Sequence, residues 1–370
     1  MAVRVVSREE TPGAIPLTGE TIVVGGGLIG LATAAALAER NLSVTLISQR
    51  RPGDASTAAA GMLVPSVERV AGPAHAFGIA ARDRYPSYLD YLADRTGVAV
   101  PLNRLGILQV ALTENGIKGL KRTALDTARW LDATELRELE PALSHGLGAM
   151  FSPDDGAVDN TLLFAALEKL CAASNRITRV TDIVTGVDPA PDSCVVRTES
   201  GTRHTGRRVV IAAGAWAGKI SGARLAHSVE PARGQMVSYS TSPLQHVTYG
   251  PRGYVVPRGN ATVGGSTMEN VGFDSSTTTS GTKRIRAASE EICPSLASAQ
   301  RTGAWAGLRP ITPDMLPLLG PDPGYPSLIY ACGHSRNGVL MAPLTGDLMA
   351  DLVTESPLSH DLSQFRPDRF

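Results

Sequence analysis

Residues 21–38 read TIVVGGGLIGLATAAALA, eighteen residues without a single charge. Residues 22–24 favour a buried strand, and the alanine-rich run 31–37 favours a helix. The Gly-x-Gly-x-x-Gly motif between them permits a tight turn, a close approach of backbone to a pyrophosphate, and a helix packed near the sheet. The first N–H groups and the positive dipole end of that helix attract an anion. The stretch therefore predicts a dinucleotide site at Gly25, Gly27, Leu28, Ile29 and Gly30.

The composition of this stretch bears on two other interpretations. About eighteen apolar residues can span a bilayer. Three consecutive glycines and five alanines make a poor lipid-facing helix, so we exclude a membrane span. A glycine-rich turn in another kind of α/β sheet stays open as the alternative.

The segment after the helix departs from the usual dinucleotide pattern. Residues 43–48 (SVTLIS) alternate like a second parallel strand, which completes a βαβ unit whose end meets the ribose. The acidic residue usual at this point is replaced by Ser48, whose hydroxyl can still bind a ribose hydroxyl. Arg50 or Arg51 could instead bind a 2′-phosphate, so NADP stays an alternative cofactor.

The composition favours a protein with a small-molecule ligand. The 370 residues suffice for two or three domains. Lys and Arg total 35, as do Asp and Glu, so no net charge attracts nucleic acid or an anionic membrane. The four cysteines lack C-x-x-C spacing, which argues against a metal site, an iron–sulfur cluster or a disulfide framework. Residues 1–17 carry acidic residues and no apolar run, so we expect no signal peptide and a cytoplasmic protein.

The middle of the chain lacks the alanine- and glycine-rich composition of residues 21–38. We expect a helix from Tyr85, a strand at 106–112 and a short capped helix at 132–143. This segment is expected to belong to a second domain. The chain returns at 150–159 and continues in an amphipathic helix at 160–173, with Asn160 as its N-cap.

Strands predominate in the following segment. We expect a strand at 183–187, a hairpin-like pair within 193–205 and a buried strand at 208–214. Residues 231–258 and 262–268 favour antiparallel strands of the second domain. Val271 to Thr282 are rich in Ser, Thr and Gly, which predicts a loop or a mobile lid.

Several short motifs carry a family resemblance. The small residues at 55–63 (ASTAAAGML) suggest backbone packed directly against a flat ring system. Four further stretches follow in order, namely DGAVD at 155–159, YVVPR at 254–258, WAGLRP at 305–310, and GHSRNG at 333–338 followed by APLTG at 342–346. Together they resemble the glycine oxidase branch of the D-amino acid oxidase family, over residues 21 to 365.

The resemblance implies an α/β fold with two domains. A Rossmann-like FAD-binding domain of the two-dinucleotide-binding-domain type is expected at 18–90, 150–228 and 305–370. An α+β substrate domain with an antiparallel sheet is expected at 91–149 and 229–304. FAD is expected to be non-covalent, because the region around Gly307 lacks the cysteine that holds flavin in related amine oxidases. Beyond the glycine motif, the positions predicted to contact FAD are Ser48, Ser56, Ala59, Ala60, Gly61, Met62, Val184, Gly214, Trp216, Gly333, His334, Arg336, Asn337, Gly338, Val339 and Leu340.

The chemistry that the resemblance implies requires a cation for the substrate carboxylate. Arg309 is the best candidate, because a planar guanidinium binds both carboxylate oxygens at once; a structural salt bridge with Asp314 is the alternative. Tyr254 could bind the same carboxylate and close the pocket, or be an ordinary aromatic residue on a sheet. Arg336, in a glycine-bounded loop, could approach the substrate or be solvated.

The remaining pocket predictions concern substrate preference and proton transfer. Met268 is expected to line the substrate cavity or to be a core methionine, and Arg252 to select a substrate with a second acidic group. His334 suggests a base, although the family mechanism does not require one.

The expected reaction is hydride transfer from the Cα of glycine or another small amino acid to flavin N5. It would give a 2-oxo acid such as glyoxylate, ammonia and, with oxygen as acceptor, hydrogen peroxide, with a role in making the thiazole of thiamine. A homo-oligomer and no metal are expected. The alternatives are a D-amino acid or sarcosine-type dehydrogenase that passes electrons to a quinone or carrier, an NADP enzyme, and a non-catalytic flavoprotein.

Overall fold

A computed structural model describes residues 20–67 and 73–370 of the chain. The segment 1–17, from which no signal peptide is expected, lies outside the described residues. Within the described part, every helix is too short or too polar to cross a membrane.

The strands are named in chain order. They are β1 (Thr21–Val24), β2 (Val44–Ile47), β3 (Met62–Leu63), β4 (Leu102–Asn103), β5 (Ile107–Ala111), β6 (Arg129–Asp132), β7 (Gly148–Ser152), β8 (Gly156–Val158), β9 (Ile177–Val180), β10 (Val184–Pro189), β11 (Cys194–Thr198), β12 (Arg203–Gly206), β13 (Arg208–Ile211), β14 (Glu230–Tyr239), β15 (Val247–Gly250), β16 (Gly253–Arg258), β17 (Ala261–Gly265), β18 (Arg301–Ile311), β19 (Leu318–Asp322) and β20 (Tyr325–Cys332).

The α-helices are named in the same way. They are α1 (Leu28–Glu39), α2 (Ala55–Ala58), α3 (Pro73–Asp83), α4 (Tyr85–Thr96), α5 (Glu114–Arg122), α6 (Ala133–Leu139), α7 (Asn160–Ala173), α8 (Thr279–Ile292) and α9 (Gly338–Val353).

A six-stranded sheet holds the glycine motif. Its order is β19-β20-β13-β1-β2-β9, and all neighbours are parallel except the pair β19 and β20. Every residue of β1 and β2 is buried, as expected for parallel strands covered on both faces. Helices α1, α4, α7 and α9 cover one face, and the antiparallel sheet β10-β11-β12 covers the other. The predicted βαβ unit is confirmed, with its helix beginning at Leu28.

An eight-stranded sheet forms the second large layer. Its order is β18-β14-β17-β16-β15-β5-β7-β6, and its pairs are antiparallel except β15 with β5. Helices α6 and α8 pack on one face of this sheet. The opposite face, with Met236, Val247 and Val256, packs against Ala60 and Ala157. The antiparallel sheet that the sequence predicts for 231–268 is therefore present.

The domain division made from the sequence stays a prediction, and two of its boundaries fall inside strands. Residue 150 lies in β7, which pairs with β5 and β6, and residue 305 lies in β18, which pairs with β14 along its length. Both of these predicted boundaries therefore lie within strands of the eight-stranded sheet.

Two local predictions are wrong. The N-cap of α7 is Asp159, whose carboxylate accepts from the N–H groups of Thr161 and Leu162, while Asn160 is buried and bonds elsewhere. The segment 271–282 is a loop only as far as residue 278. Thr278 caps α8, because its hydroxyl accepts from the Gly281 N–H, so residues 279–282 are helical. Ser and Thr favour caps as well as loops, which explains the error.

Candidate functional site

A cavity of about 750 Å³ lies between the two large sheets. One wall is the carboxyl edge of the six-stranded sheet, with Val24, Ile47, Ala212 and Cys332. The other wall is the eight-stranded sheet, with residues of β14, β15, β16 and β18. Ligands of open α/β sheets bind at this carboxyl edge. The cavity is therefore the candidate site, and it extends from the glycine motif to the antiparallel sheet.

Most of the predicted site residues line this cavity. They are Gly25, Gly27, Leu28, Ile29, Ser48, Ser56, Ala59, Ala60, Gly61, Met62, Val184, Gly214, Trp216, Tyr254, Met268, Arg309, Gly333, His334, Arg336, Gly338 and Val339. Four predicted residues are not part of the lining, namely Gly30, Arg252, Asn337 and Leu340.

The glycine motif shapes one end of the cavity. Gly25 has a φ of +113°, and a Cβ there would collide with the carbonyl oxygen of Ala212 on β13. A Cβ at Gly30 would collide with the Gly25 carbonyl oxygen, so Gly30 acts through close packing rather than as a lining residue. Helix α1 begins after Gly27 without a side-chain cap and has no acidic residue in its first turn. This helix end is therefore suited to a phosphate.

The residues after β2 bear on the choice of cofactor. Ser48 lines the cavity, and its hydroxyl lies where a side chain at Gly26 would be. Arg50 forms an ion pair with Asp54 at 2.6 Å, and its guanidinium lies 4.6 Å from the ring centre of Phe164. Because Arg50 already has a carboxylate partner, it is poorly available for a 2′-phosphate. The NADP interpretation therefore has no support at Arg50. Arg51, the other candidate, lines the cavity with its guanidinium 5.2 Å from the ring centre of Trp216.

The small-residue segment 55–61 is held against the cavity by the antiparallel sheet. The Trp305 indole donates from Nε1 to the Ala58 carbonyl at 2.9 Å. Arg258 donates from Nη2 to the Ala60 carbonyl at 3.0 Å. These bonds fix the backbone that would face a flat ring.

A partly buried hydrogen-bond chain that the sequence analysis did not identify supports the same segment. Arg258 Nη2 donates to Asn160 Oδ1 at 2.6 Å, and Asn160 Nδ2 donates to the Ser56 carbonyl at 2.7 Å. The Ser56 hydroxyl in turn accepts from the Leu28 N–H at 2.9 Å. The chain joins the antiparallel sheet to the start of α1. The sequence had marked Ser56 as an FAD contact, Asn160 as a helix cap and Arg258 as the end of YVVPR, but nothing in it joined the three.

Arg309 lies on β18 at the other end of the cavity. Its Nη1 donates to the Thr267 carbonyl at 3.1 Å, and its Nη2 donates to the Ser266 hydroxyl at 2.8 Å. Both of these hydrogen-bond partners are uncharged. The predicted alternative partner, Asp314, pairs with Arg369 at 2.8 Å. A side chain at Gly234 on β14 would collide with the guanidinium. Arg309 is half-buried beside the cavity and is free to bind an anion there.

Two tyrosines line the same cavity as Arg309. The Tyr254 hydroxyl donates to Met236 Sδ at 3.7 Å, and its ring centre lies 5.4 Å from that of Tyr249. The Tyr249 hydroxyl donates to Met62 Sδ at 3.2 Å. Thioether sulfur is a weak acceptor, so a carboxylate would be a better partner for the Tyr254 hydroxyl. The sequence analysis missed Tyr249, which carries no motif of its own.

The remaining candidates have different environments. Met268 is 50% exposed, so it lies at the cavity opening rather than in a core. Arg252 points away from the cavity and pairs with Glu291 on α8 at 2.9 Å. It therefore cannot select a second acidic group where it stands.

His334 is buried beside the cavity and bonds to a neutral partner. Its Nε2 lies 3.2 Å from the Thr345 hydroxyl. Burial lowers the pKa of His334 to about 3. The imidazole is therefore neutral near pH 7. With a pKa this low it is a weak base, so the structure gives no support to the role of base that the sequence suggested for His334.

No cluster of three or more His, Cys, Asp or Glu side chains among the described residues could hold a metal ion. Of the four cysteines, Cys332 lines the cavity. Burial raises its pKa to about 12, so it is a protonated thiol near neutral pH.

Comparisons with known proteins agree with this geometry. A family profile described as FAD dependent oxidoreductase (DAO) matches residues 20–352. The chain is 34% identical over 362 residues to the glycine oxidase of Geobacillus kaustophilus, covering 94% of this chain and 96% of that protein. It is 33% identical over 368 residues to the bifunctional protein ThiO/ThiG of Synechocystis, covering 95% of this chain and 54% of that protein. The chain thus spans about half the length of this bifunctional relative.

Solved structures give the same result. The crystal structure of the glycine oxidase from Geobacillus kaustophilus superposes with a TM-score of 0.87 at 33% identity, covering 95% of this chain and all of that one. An iminodiacetate oxidase (IdaA) from Chelativorans sp. BNC1 superposes with a TM-score of 0.86 at 26% identity, covering 94% and 98% of the two chains.

Proposed function

The chain belongs to the DAO family of FAD-dependent oxidoreductases, and on this basis we propose that it oxidises glycine or another small amino acid to a 2-oxo acid. With glycine and oxygen, the products are glyoxylate, ammonia and hydrogen peroxide, and one water is consumed. The observation that supports the substrate class is Arg309, whose fork of donors meets neutral oxygens at one end of the cavity.

The described residues fit FAD at the glycine-rich end. The uncapped start of α1 suits the pyrophosphate, and Ser48 is available to the ribose. The segment 55–61 offers a small-residue surface for the ring system, held in place by Trp305 and Arg258. Bound FAD supplies the two-electron chemistry, since it accepts the hydrogen and the electron pair that leave Cα.

The chain's own side chains supply binding and orientation. Arg309 binds both oxygens of the substrate carboxylate, which fixes one end of the amino acid. Tyr254 donates a further hydrogen bond to that carboxylate, and its ring closes the pocket beside Tyr249. Holding the carboxylate brings Cα to the flavin, and this placement is the protein's main contribution to the rate.

Oxygen as the electron acceptor, a homo-oligomer and a cytoplasmic location are further parts of this proposal. The relatives named glycine oxidase support oxygen as acceptor, because an oxidase reduces oxygen. A role in thiamine biosynthesis is supported by the similarity to the ThiO/ThiG protein. A strain that lacks its own glycine oxidase and requires thiazole should grow without thiazole when it expresses this chain.

The visible spectrum of the purified holoenzyme tests the proposal directly. Glycine, sarcosine, D-proline, D-alanine and iminodiacetate are added separately without oxygen, and air is then admitted. We expect glycine to bleach the flavin band and air to restore it with peroxide release. Bleaching without rapid return of colour would instead indicate a dehydrogenase, and a yellow protein that no amine bleaches would overturn the substrate class.

A further inference from the structure

The loop between β17 and α8, residues 266–278, joins the cavity to a buried polar cluster. Its first residues, Ser266, Thr267 and Met268, line the cavity. Beyond them, Glu269 pairs with Arg233 of β14 through two backbone hydrogen bonds of 2.9 Å, one in each direction. The loop is therefore attached to the sheet one residue after it leaves the cavity wall.

The Arg233 side chain makes a second attachment. It is 4% exposed, and its Nη2 lies 2.5 Å from Glu269 Oε2. Its Nη1 lies 2.6 Å from Asp274 Oδ2 and donates to the Ser276 carbonyl at 3.1 Å. One guanidinium thus binds two carboxylates and a carbonyl of the same loop, a geometry that lysine cannot reproduce. We call Arg233, Glu269 and Asp274 the loop clasp.

Gln235, two residues along β14, completes the attachment. Its side-chain Nε2 donates to Glu269 Oε1 at 2.7 Å, and its Oε1 accepts from the Thr278 N–H at 2.7 Å. Its backbone N–H donates to the Thr267 hydroxyl at 3.0 Å. Burial raises the pKa of Glu269, but hydrogen bonds from Thr267, Arg233 and Gln235 outweigh burial, so the pKa is lowered and the carboxylate stays charged near neutral pH.

The opposite side of the same strand faces the substrate end of the cavity. Gly234, between Arg233 and Gln235, lies against the Arg309 guanidinium. Arg309 also donates to the Thr267 carbonyl and the Ser266 hydroxyl, which precede Glu269 by two and three residues. Both acceptors that orient Arg309 thus lie on the segment that the clasp fixes. A long side chain with about 2 kcal/mol of rotamer entropy needs such fixation to present both donors together.

We propose that the loop clasp, Arg233 with Glu269 and Asp274, positions the Arg309 guanidinium for a substrate carboxylate by fixing the backbone of Ser266 and Thr267. The proposal rests on the proposed function, because it assigns Arg309 to the carboxylate. Arg233, Glu269 and Asp274 are positioning residues that do not touch the substrate. Weakening the clasp should therefore weaken carboxylate binding while FAD stays bound.

The first variant is Glu269→Gln, with Glu291→Gln as the matched control. Both substitutions remove the charge from a glutamate paired with an arginine, but Glu291 pairs with Arg252 outside the cavity. The holoenzymes are titrated with acetate, a simple carboxylate, and binding is followed by the flavin absorbance. For Glu269→Gln we expect the acetate Kd and the KM for glycine to rise about tenfold, with kcat changed less than about twofold. For Glu291→Gln we expect neither to change.

A second variant, Asp274→Asn, covers the case in which Glu269→Gln does not retain FAD. The Asp274 side chain is 51% exposed, so its replacement leaves the core intact. It removes one of the two charged partners of Arg233, and we expect the acetate Kd to rise about threefold. An unchanged acetate Kd in this variant would overturn the proposal.

A double-variant comparison distinguishes positioning from general loss of structure. In an Arg309→Lys background, the guanidinium fork is already lost, so Glu269→Gln should change the acetate Kd less than about twofold further. An equal tenfold rise in both backgrounds would overturn the proposal, because the clasp would then act without Arg309. If Arg309→Lys itself leaves acetate binding unchanged, the proposed function of Arg309 fails. If Arg309→Lys weakens acetate binding and Glu269→Gln does not, only the clasp fails.

Discussion

Arg309 presents its guanidinium to the cavity while its hydrogen-bond partners in the described chain are the neutral oxygens of Ser266 and Thr267. Such a cation gains more from an incoming carboxylate than one already paired with an acidic side chain. This distinguishes it from Arg252, whose Nε lies 2.9 Å from Glu291.

Replacing Arg309 by Ala should raise the KM for glycine by about 10- to 100-fold, because one to two charged hydrogen bonds are lost. The flavin spectrum should be unchanged, since Arg309 contributes to the substrate end. Steady-state kinetics and the visible spectrum of the holoenzyme check both expectations. Arg252→Ala is the matched control and should leave KM as it is. Equal effects of the two variants would contradict the assignment of Arg309.

His334 should make stability depend on pH. Its pKa is lowered by burial from 6.5 in the unfolded chain to about 3 in the folded protein. Below pH 6.5 the unfolded chain therefore takes up a proton that the folded protein does not. The free energy of unfolding should fall as the pH drops from 6.5 toward 3, by about 1.4 kcal/mol per pH unit from this group.

Urea unfolding of FAD-saturated protein between pH 7 and pH 5 measures this slope. His334→Asn should flatten it, because the titrating group is gone. His145→Asn, at an exposed position, serves as the control and should keep the parent slope. If the His334→Asn variant keeps the pH slope of the unsubstituted protein, another group is responsible for the pH dependence of stability.

Helix α1 can lie close to the turn that precedes it because residue 30 is a glycine, next to the Gly25 carbonyl. Gly30→Ala should destabilise the protein by about 1–3 kcal/mol and weaken FAD binding, because the new Cβ collides with the Gly25 carbonyl and moves the helix start. Gly119→Ala on α5 is the matched control. No atom lies within 4 Å of a Cβ there, so helix propensity should make it neutral or stabilising by up to about 1 kcal/mol. Thermal unfolding and FAD titration compare the two, and similar losses in both would contradict the steric argument.

Two neighbouring residues at the start of helix α7 have different roles: Asp159 caps the helix, and Asn160 supports segment 55–61. Asn160→Ala removes a partner from Arg258 and from the Ser56 carbonyl, so two partly buried groups lose a hydrogen bond, at a cost of about 1 kcal/mol each. FAD affinity should fall, because segment 55–61 loses its support. Asp159→Ala removes the N-cap and the negative charge near Arg258 but leaves the hydrogen bonds of Asn160 in place. It should lower stability by about 1 kcal/mol and weaken FAD binding less than Asn160→Ala does. FAD titration of the two apoproteins distinguishes these roles. Equal FAD affinities in the two variants would show that the hydrogen-bond chain through Asn160 does not support the site.

FAD should stabilise the assembly of the two large sheets, since the cavity lies between them. At a free FAD concentration 100 times Kd, ligand binding contributes about 2.7 kcal/mol to the folded state. Removing FAD should therefore lower the melting temperature, and adding it back should restore the original value. A melting temperature independent of FAD would mean that this cavity does not bind it.

The same protein should release its flavin on denaturation. Cys332 is the cysteine that lines the cavity, and burial raises its pKa to about 12, so it is a poor nucleophile. After acid precipitation we expect the yellow colour in the supernatant. Colour retained in the pellet after washing in denaturant would indicate a covalent link.

Local patterns in the sequence determined the βαβ unit, the hairpin β11–β12 and helices α1 and α7, since periodicity, propensity and glycine spacing act over a few residues. Family motifs also indicated FAD and pointed to Arg309. Capping was predicted one residue away from its true place, because Asp159 and Asn160 are both good caps and only burial separates them.

Only the tertiary structure decided which distant groups meet. Arg309 bonds to Ser266 and Thr267 more than 40 residues earlier, and Asn160 joins Ser56 to Arg258. Arg252, one residue from the Gly253–Arg258 strand, turns to Glu291 instead of the cavity. These contacts depend on how the two sheets and the loops between them pack, and no local propensity encodes that packing.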